Sequence, residues 1–371
     1  MTQQLDDHTE IKRGNGSERT AGSSGERPRG DSGRGGGRRG GARRGGAGRG
    51  GERRMVPDAT FTSYYGRPVV KASPWKADIP TYLFLGGLAA GSSLLAAGAD
   101  LTGRDTLRRT GRVGAMVAIT ISFASLVHDL GRPARFVNML RVAKWTSPMS
   151  VGTWILSGYG PLAIVAGAAE LIPLIRRLPA PAGRLISLLG RPSGVAAALL
   201  APAIASYTAV LLADTATPGW HEAYRELPFV FVGSASAAAG GLGLIGACPA
   251  DAGPARRLAV AGAAAELALM RRMESSMGLA AEPLDQGIPG RLRRVGESLT
   301  VGGAAGAIAG RRSRMLSAVS GVALLLGSAC TRFAIFYAGQ DSARDPKYTI
   351  VPQRERVEAR RQASNQVTGG R

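Results

Sequence analysis

His128-Asp129-Leu130-Gly131-Arg132-Pro133-Ala134-Arg135-Phe136 sets an imidazole, a carboxyl group and two guanidinium groups directly after an apolar run of helical length, Arg112 to Val127. A helix that only has to cross a bilayer does not need them there. Ionisable groups at membrane depth are costly and concentrate in protein interiors or wet cavities, which makes this stretch a functional hypothesis. Imidazole exchanges protons near neutrality, and Asp129 could orient the His128 ring or pass its proton on. The plainer reading is a capped helix end, with Gly131 as cap, Pro133 as stop and the arginines reaching for water along their stems. Asp129 could equally be pairing with Arg132 or Arg135 as structural glue. Spacing alone leaves both open.

Other groups with chemistry lie at the ends of apolar runs or inside them. Asp78 and Tyr82 begin the first run, Tyr207 and Asp214 close the fourth, and Arg332 sits in the last. Glu170 is near the end of the third run and Glu266 is midway along the sixth. An unpaired carboxylate deep in a bilayer must be protonated or partnered, so these two acids are candidates for a proton path; the alternative is a buried hydrogen bond to serine or a backbone carbonyl. The chain has 3 histidines and 2 cysteines. Stacked bis-histidine haems and an iron–sulfur cluster generally require more ligands than these, so neither haem, cluster nor other metal is expected in this chain.

The elements that position these residues follow from hydropathy. A mean hydropathy near zero conceals polar, basic ends and a middle rich in Ala, Leu, Val and Gly. The formal charge of +21 does not by itself indicate nucleic acid, since arginines between hydrophobic spans anchor membrane loops. Apolar runs of about 20 residues predict spans at 79–101, 112–130, 151–174, 194–214, 227–248, 255–275 and 314–338, with a weaker Gly/Ala-rich one at 297–310. The fold class is therefore an all-α, polytopic transmembrane bundle of about eight helices, within bounds of seven and nine. Residues 1–55 form a low-complexity Arg/Gly-rich tail, expected to be disordered and able to contact RNA or anionic lipid; a merely solvated tail is the plainer reading. No apolar segment follows its arginines closely enough to form a cleavable signal peptide. Residues 56–78, with Tyr64, Tyr65 and Trp75, read as an interfacial approach, 79–338 as the bundle and 339–371 as a polar C-terminal tail.

Eight crossings return both termini to one face. Asp78, Tyr82, His128, Asp129, Tyr207 and Asp214 then gather near that face, under loops 132–150 and 215–227, which contain Trp145 and Trp220. The other face offers mostly arginines and prolines. Lys and Arg close to the spans are more numerous on the terminal face, the direction that the positive-inside rule associates with the cytoplasm.

At this point the sequence resembles the NrfD/polysulphide reductase family of integral membrane subunits. The resemblance rests on Tyr82-Leu83-Phe84-Leu85-Gly86-Gly87-Leu88-Ala89-Ala90-Gly91, on His128 to Pro133 with Arg135-Phe136 and Asn138-Met139-Leu140, and on Thr146 to Gly152. Tyr207 to Trp220, Thr331-Arg332-Phe333 and Ser342 to Pro346 complete it, over about residues 75–355. It implies a multi-pass subunit of the cell membrane that takes quinone or menaquinone as an exchangeable substrate and holds no haem or cluster of its own. Its implied partners are a four-cluster ferredoxin-like iron–sulfur subunit and a molybdopterin subunit of formate dehydrogenase type, or a multihaem catalytic subunit. The resemblance implies Asp78 and Tyr82 as quinone contacts, Tyr82 standing where the family pattern has a histidine; His128 and Tyr207 join them as candidates on their own chemistry and position. His128 and Asp129 would take protons, with Asp214, Glu170 and Glu266 as a proton path, and Arg132, Arg135, Trp145 and Trp220 would meet the partner. Two other classes stay open: a transporter, which predicts inverted repeats around a midplane site, and a purely structural anchor, for which changing Tyr82 or His128 would leave quinone reactivity untouched.

Overall fold

The computed structural model describes residues 68–132, 134–174 and 179–369. The Arg/Gly tail with its RNA or lipid contact, Tyr64, Tyr65 and the stop at Pro133 lie outside the described residues. Eleven α-helices follow in order: α1 Asp78–Leu101, α2 Asp105–Asp129, α3 Arg135–Leu140, α4 Pro148–Leu171, α5 Ala180–Ala213, α6 Pro218–His221, α7 Leu227–Gly246, α8 Gly253–Met277, α9 Gly287–Ala309, α10 Arg314–Arg344 and α11 Lys347–Gly369. Among the described residues there is no strand.

Six of these helices, α1, α2, α4, α5, α7 and α10, are long and apolar enough to cross a membrane. With α8 and α9 they make eight long helices before α11. The latter two, of 25 and 23 residues, are long enough but carry charge: Arg256, Arg257, Glu266, Arg271, Arg272 and Glu274 on α8, and Arg291, Arg293, Arg294 and Glu297 on α9. Several helices outrun the apolar segments that announce them. The second begins at Asp105 and the fifth at Ala180, and the C-terminal residues read as a polar tail extend α10 to Arg344 and then form α11. Hydropathy marks only the part of a helix in hydrocarbon, whereas backbone hydrogen bonding continues into the interface.

Packing divides the long helices into α1, α2, α4 and α5 on one side and α7, α8, α9 and α10 on the other, with α1 touching α7 and α10. In lipid, helices associate largely through close packing, which favours small residues at seams. The α7–α8 seam shows this directly. A Cβ on Gly240 would lie 2.5 Å from the Ala259 nitrogen, and one on Gly262 would overlap the Ala237 nitrogen.

We call the face where α1 begins face A and the opposite one face B. On face A, α3 and α6 bridge α2 to α4 and α5 to α7, and a 3-10 segment, Gly278–Leu284, bridges α8 to α9. On face B, four helices are tied by an ion cluster. Glu170 accepts from Arg108 Nε at 2.9 Å and from Arg112 Nη1 at 2.8 Å; Asp100 takes Arg112 Nη2 at 3.3 Å and Arg191 Nε at 3.0 Å. Glu170, a proton-path candidate from sequence, is thus held between two guanidiniums and ties α4 to α2. A carboxylate committed in that way serves as architecture.

Candidate functional site

A cleft of about 690 Å³, including the space at its mouth, opens on face A between α1, α2, α4 and α5. Ile79, Leu83, Leu126, Leu156 and Leu212 give it apolar walls, while Tyr82, Asp129, Tyr207 and Thr208 supply the polar groups. Small-molecule sites commonly combine such walls with a few convergent polar groups.

Local structure explains how each group arrives. The backbone enters α4 through Ser147, whose Oγ accepts from Ser150 N at 3.5 Å, with Pro148 in the first turn. This N-cap fixes the start of α4 and hence the height of Gly152. The Tyr207 ring of α5 lies against the bare backbone there, in space that a Cβ on Gly152 would fill. Phe136 of α3 meets Phe123 of α2 edge-on at 4.8 Å, and the same short helix brings Met139 to the cleft. Trp75, just ahead of α1, lines the mouth, its carbonyl accepting from Gln340 Nε2 of α10 at 2.8 Å.

Three of the residues expected from sequence converge here. Tyr82, Asp129 and Tyr207 line the cleft. Asp78 opens α1, where a carboxylate complements the helix dipole, and its Oδ2 lies 3.1 Å from His128 Nδ1. The His128 side chain is 80% exposed and does not line the cleft, so the imidazole belongs to a pair with Asp78 outside the cleft wall. Asp214 is exposed at the end of α5 and also stays out of the lining.

The loop residues separate. Arg132 and Arg135 are exposed, and Trp145 is 85% exposed. Trp220, expected at the partner surface, is instead 1% exposed. Its indole stacks on Trp75 at 5.9 Å, lies 5.5 Å from Phe336 and donates from Nε1 to the Ile335 carbonyl at 3.0 Å. A ring covered in this way has no face to offer a partner; it backs Trp75. The functional reading of the sequence does not reach Gly152, Thr208 or Trp75 as cleft residues. Gly152 does carry a signal, as a glycine about one turn inside the Ser-Pro helix start.

A second, polar cleft of about 480 Å³ lies between α8, α9 and α10. Its lining runs from Arg271, Glu274, Arg293 and Glu297 to Thr300, Thr331 and Glu266. Arg293 pairs with Glu274 at 3.1 Å, and Arg271 with Glu297 at 3.2 Å. Glu266 is 2% exposed, with the hydroxyls of Thr331 and Ser234 and the Arg332 guanidinium beside its carboxyl group. Arg332 is equally buried; its Nη2 donates to the Phe231 carbonyl at 2.7 Å and its guanidinium sits 3.6 Å from that ring's centre. Among the described residues, no three His, Cys, Asp or Glu side chains come together to hold a metal, and Cys248 and Cys330 are free.

The fold and its face-A cleft define a multi-pass helical membrane protein with a largely apolar cleft at one end of the bundle. Residues 69–251 match the family described as polysulphide reductase, NrfD. It is also similar to the C subunit of the polysulfide reductase of Wolinella succinogenes, 27% identical over 153 residues, a match covering 37% of this protein and 47% of that subunit. It therefore spans about half the length of this curated relative. The family match contains the whole face-A cleft and ends just before α8.

Proposed function

We propose that this protein is the quinone-reactive membrane subunit of a multi-subunit oxidoreductase, exchanging electrons between a quinone of the bilayer, such as menaquinone, and an iron–sulfur partner subunit. The observation that carries the reading is the face-A cleft, where two phenols and one carboxyl group interrupt apolar walls at the membrane surface. Quinol oxidation releases two electrons and two protons, so a site for it needs an apolar slot for the ring, hydrogen-bond groups for its oxygens and a proton acceptor. Tyr82 and Tyr207 are suited to the oxygens. Asp129 is the acceptor inside the cleft, and the Asp78–His128 pair is the next proton carrier on the way to water. Electrons leave to clusters held by the partner, a four-cluster ferredoxin-like subunit that would serve a molybdopterin or multihaem catalytic subunit. Exposed Arg132, Arg135 and Trp145 on the same face form the surface where it would dock.

Binding of a quinone analogue to the purified full-length protein tests this. Tyr82→Phe and Asp129→Asn are each expected to weaken binding about fivefold, the scale of one lost hydrogen bond. His128→Ala should leave affinity within about threefold but slow quinol oxidation, since its ring lies outside the cleft wall. Absence of saturable binding in the folded wild type with its partner present would sink the quinone reading and leave a structural anchor or a transporter.

The second cleft supports a further part of the proposal, proton translocation coupled to this electron transfer. A buried carboxyl group at the end of a polar cleft suits a proton-loading position, and intramembrane acids of this kind mark proton relays. In the reconstituted complex, Glu266→Gln should abolish proton release across the membrane while quinol oxidation keeps at least about half its rate. Unchanged protons per electron would remove Glu266 from any such path.

A further inference from the structure

On face B, α8 and α9 leave a groove of about 890 Å³ open to the outside of the bundle. Its face-B end is lined by Arg256, Arg257 and Arg311, and its deeper part by Val260, Ala264 and Ile308. The order is set by helical spacing. On α8, Arg257 precedes Ala264 by two turns on one stripe, and Arg311, in the turn after α9, follows Ile308 by three residues. Each helix therefore places a guanidinium about one turn or two outside small or aliphatic side chains, with charge at headgroup depth and an apolar channel towards the bilayer centre.

Among the described residues, the charge in this groove is uncompensated. Arg256 donates from Nε to the Ala307 carbonyl at 2.7 Å and from Nη2 to Ser317 Oγ at 3.3 Å, both neutral acceptors. Arg257 and Arg311 have no ion pair or hydrogen bond to any described residue, and no acid lines the groove. Asp251, the acid nearest in sequence, is occupied by the backbone nitrogen and hydroxyl of Thr106, at 3.1 and 2.6 Å. The ion cluster on the same face is an internal contrast, because its arginines are tied to Asp100 and Glu170. Three arginines without acids above an apolar channel complement a ligand that is anionic at one end and hydrocarbon at the other.

We propose that the α8–α9 groove at face B binds an anionic phospholipid of the surrounding bilayer, its phosphate held by Arg257 and Arg311 and an acyl tail laid along Val260, Ala264 and Ile308. Basic pockets between membrane helices are a recurring headgroup site. Free phosphate would use the guanidiniums and leave the apolar half unfilled; a zwitterionic lipid would use the channel and gain little from the charge.

The test follows thermal unfolding of the purified full-length protein in neutral detergent as phosphatidylglycerol, phosphatidylcholine or inorganic phosphate is added. Phosphatidylglycerol should raise Tm saturably, with little effect of the other two. Arg257→Ala/Arg311→Ala should unfold as the wild type does without lipid, since neither side chain is bonded to the protein. Its half-saturating phosphatidylglycerol concentration should rise about thirtyfold, on the scale of roughly fivefold per membrane-proximal arginine. Ala264→Trp, which fills the channel and keeps all three arginines, should abolish the saturable rise and covers the case in which the double variant fails to fold. Equal stabilisation by phosphate or by phosphatidylcholine overturns the proposal, the first in favour of a soluble anion and the second in favour of unselective lipid. A wild-type response in either variant overturns it as well.

Discussion

Replacing Gly152 with alanine should weaken binding of a quinone analogue about a hundredfold, more than removing the Tyr207 hydroxyl does. The hydroxyl contributes one hydrogen bond between neutral groups, so Tyr207→Phe is expected to cost roughly 1 kcal/mol, or about fivefold. A methyl group on residue 152 acts on the whole ring, because it would occupy the space the phenol fills. The ring must then swing away from the α4 backbone into the cleft, losing its hydrogen bond and taking volume from the ligand. Displacement of a packed ring adds about 1–3 kcal/mol to the lost bond. The clean check is a double-variant cycle. In a Tyr207→Ala background the same alanine at 152 meets no ring and should add less than about twofold, whereas independent effects would multiply. Wild-type affinity in Gly152→Ala, with an unchanged unfolding transition, would mean that the analogue does not bind beside Tyr207.

Why these two residues meet is not legible in the sequence alone. Hydropathy gives the order and number of long helices, and an even count of crossings is enough to bring Tyr82, Asp129 and Tyr207 to one membrane face. It does not give the rotation of each helix. In a soluble helix the polar stripe reports which side faces out, but α4 and α5 are apolar around their circumference, so the sequence is nearly silent on phase. His128 and Asp129 illustrate the cost. They are adjacent in sequence and look equivalent, yet the helix turns one into the cleft lining and leaves the other exposed. Trp220 departs from expectation for another reason. An aromatic in a membrane loop is ordinarily an interfacial anchor, and only α10, far along the sequence, reveals that Phe336 and the Ile335 carbonyl cover it. The role of Glu170 is more legible than it looks. Arg108 and Arg112 stand four residues apart at the same end of the bundle, a spacing that puts two guanidiniums on one helix face ready for an acid.

Gly240→Val is expected to be among the most damaging single changes in the described bundle, costing more than about 4 kcal/mol and keeping the protein from accumulating in the membrane. Many tight contacts elsewhere end on side chains that can rotate. Here the neighbours are main chain: a Cβ at 240 would sit 2.5 Å from the Ala259 nitrogen, 2.6 Å from its Cα and 2.7 Å from the Ala255 carbonyl oxygen. Relief requires the two helices to separate, and in lipid the lost close packing is not replaced by any gain from burying apolar surface, because lipid is as apolar as the seam. Gly302, on α9 with nothing within 4 Å of its added Cβ, is the control. Gly302→Ala should be neutral or stabilising by up to about 1 kcal/mol, as expected where a helix interior loses a flexible residue. Unfolding temperature and yield of the two variants in the same detergent decide the matter, and equal behaviour would mean that the seam is not close-packed. The seam also reaches the second cleft. Gly233, two turns before Gly240, has its open side against the backbone of Glu266, 2.8 Å from that nitrogen. The bareness that lets α7 and α8 approach therefore also sets where the buried carboxyl group stands.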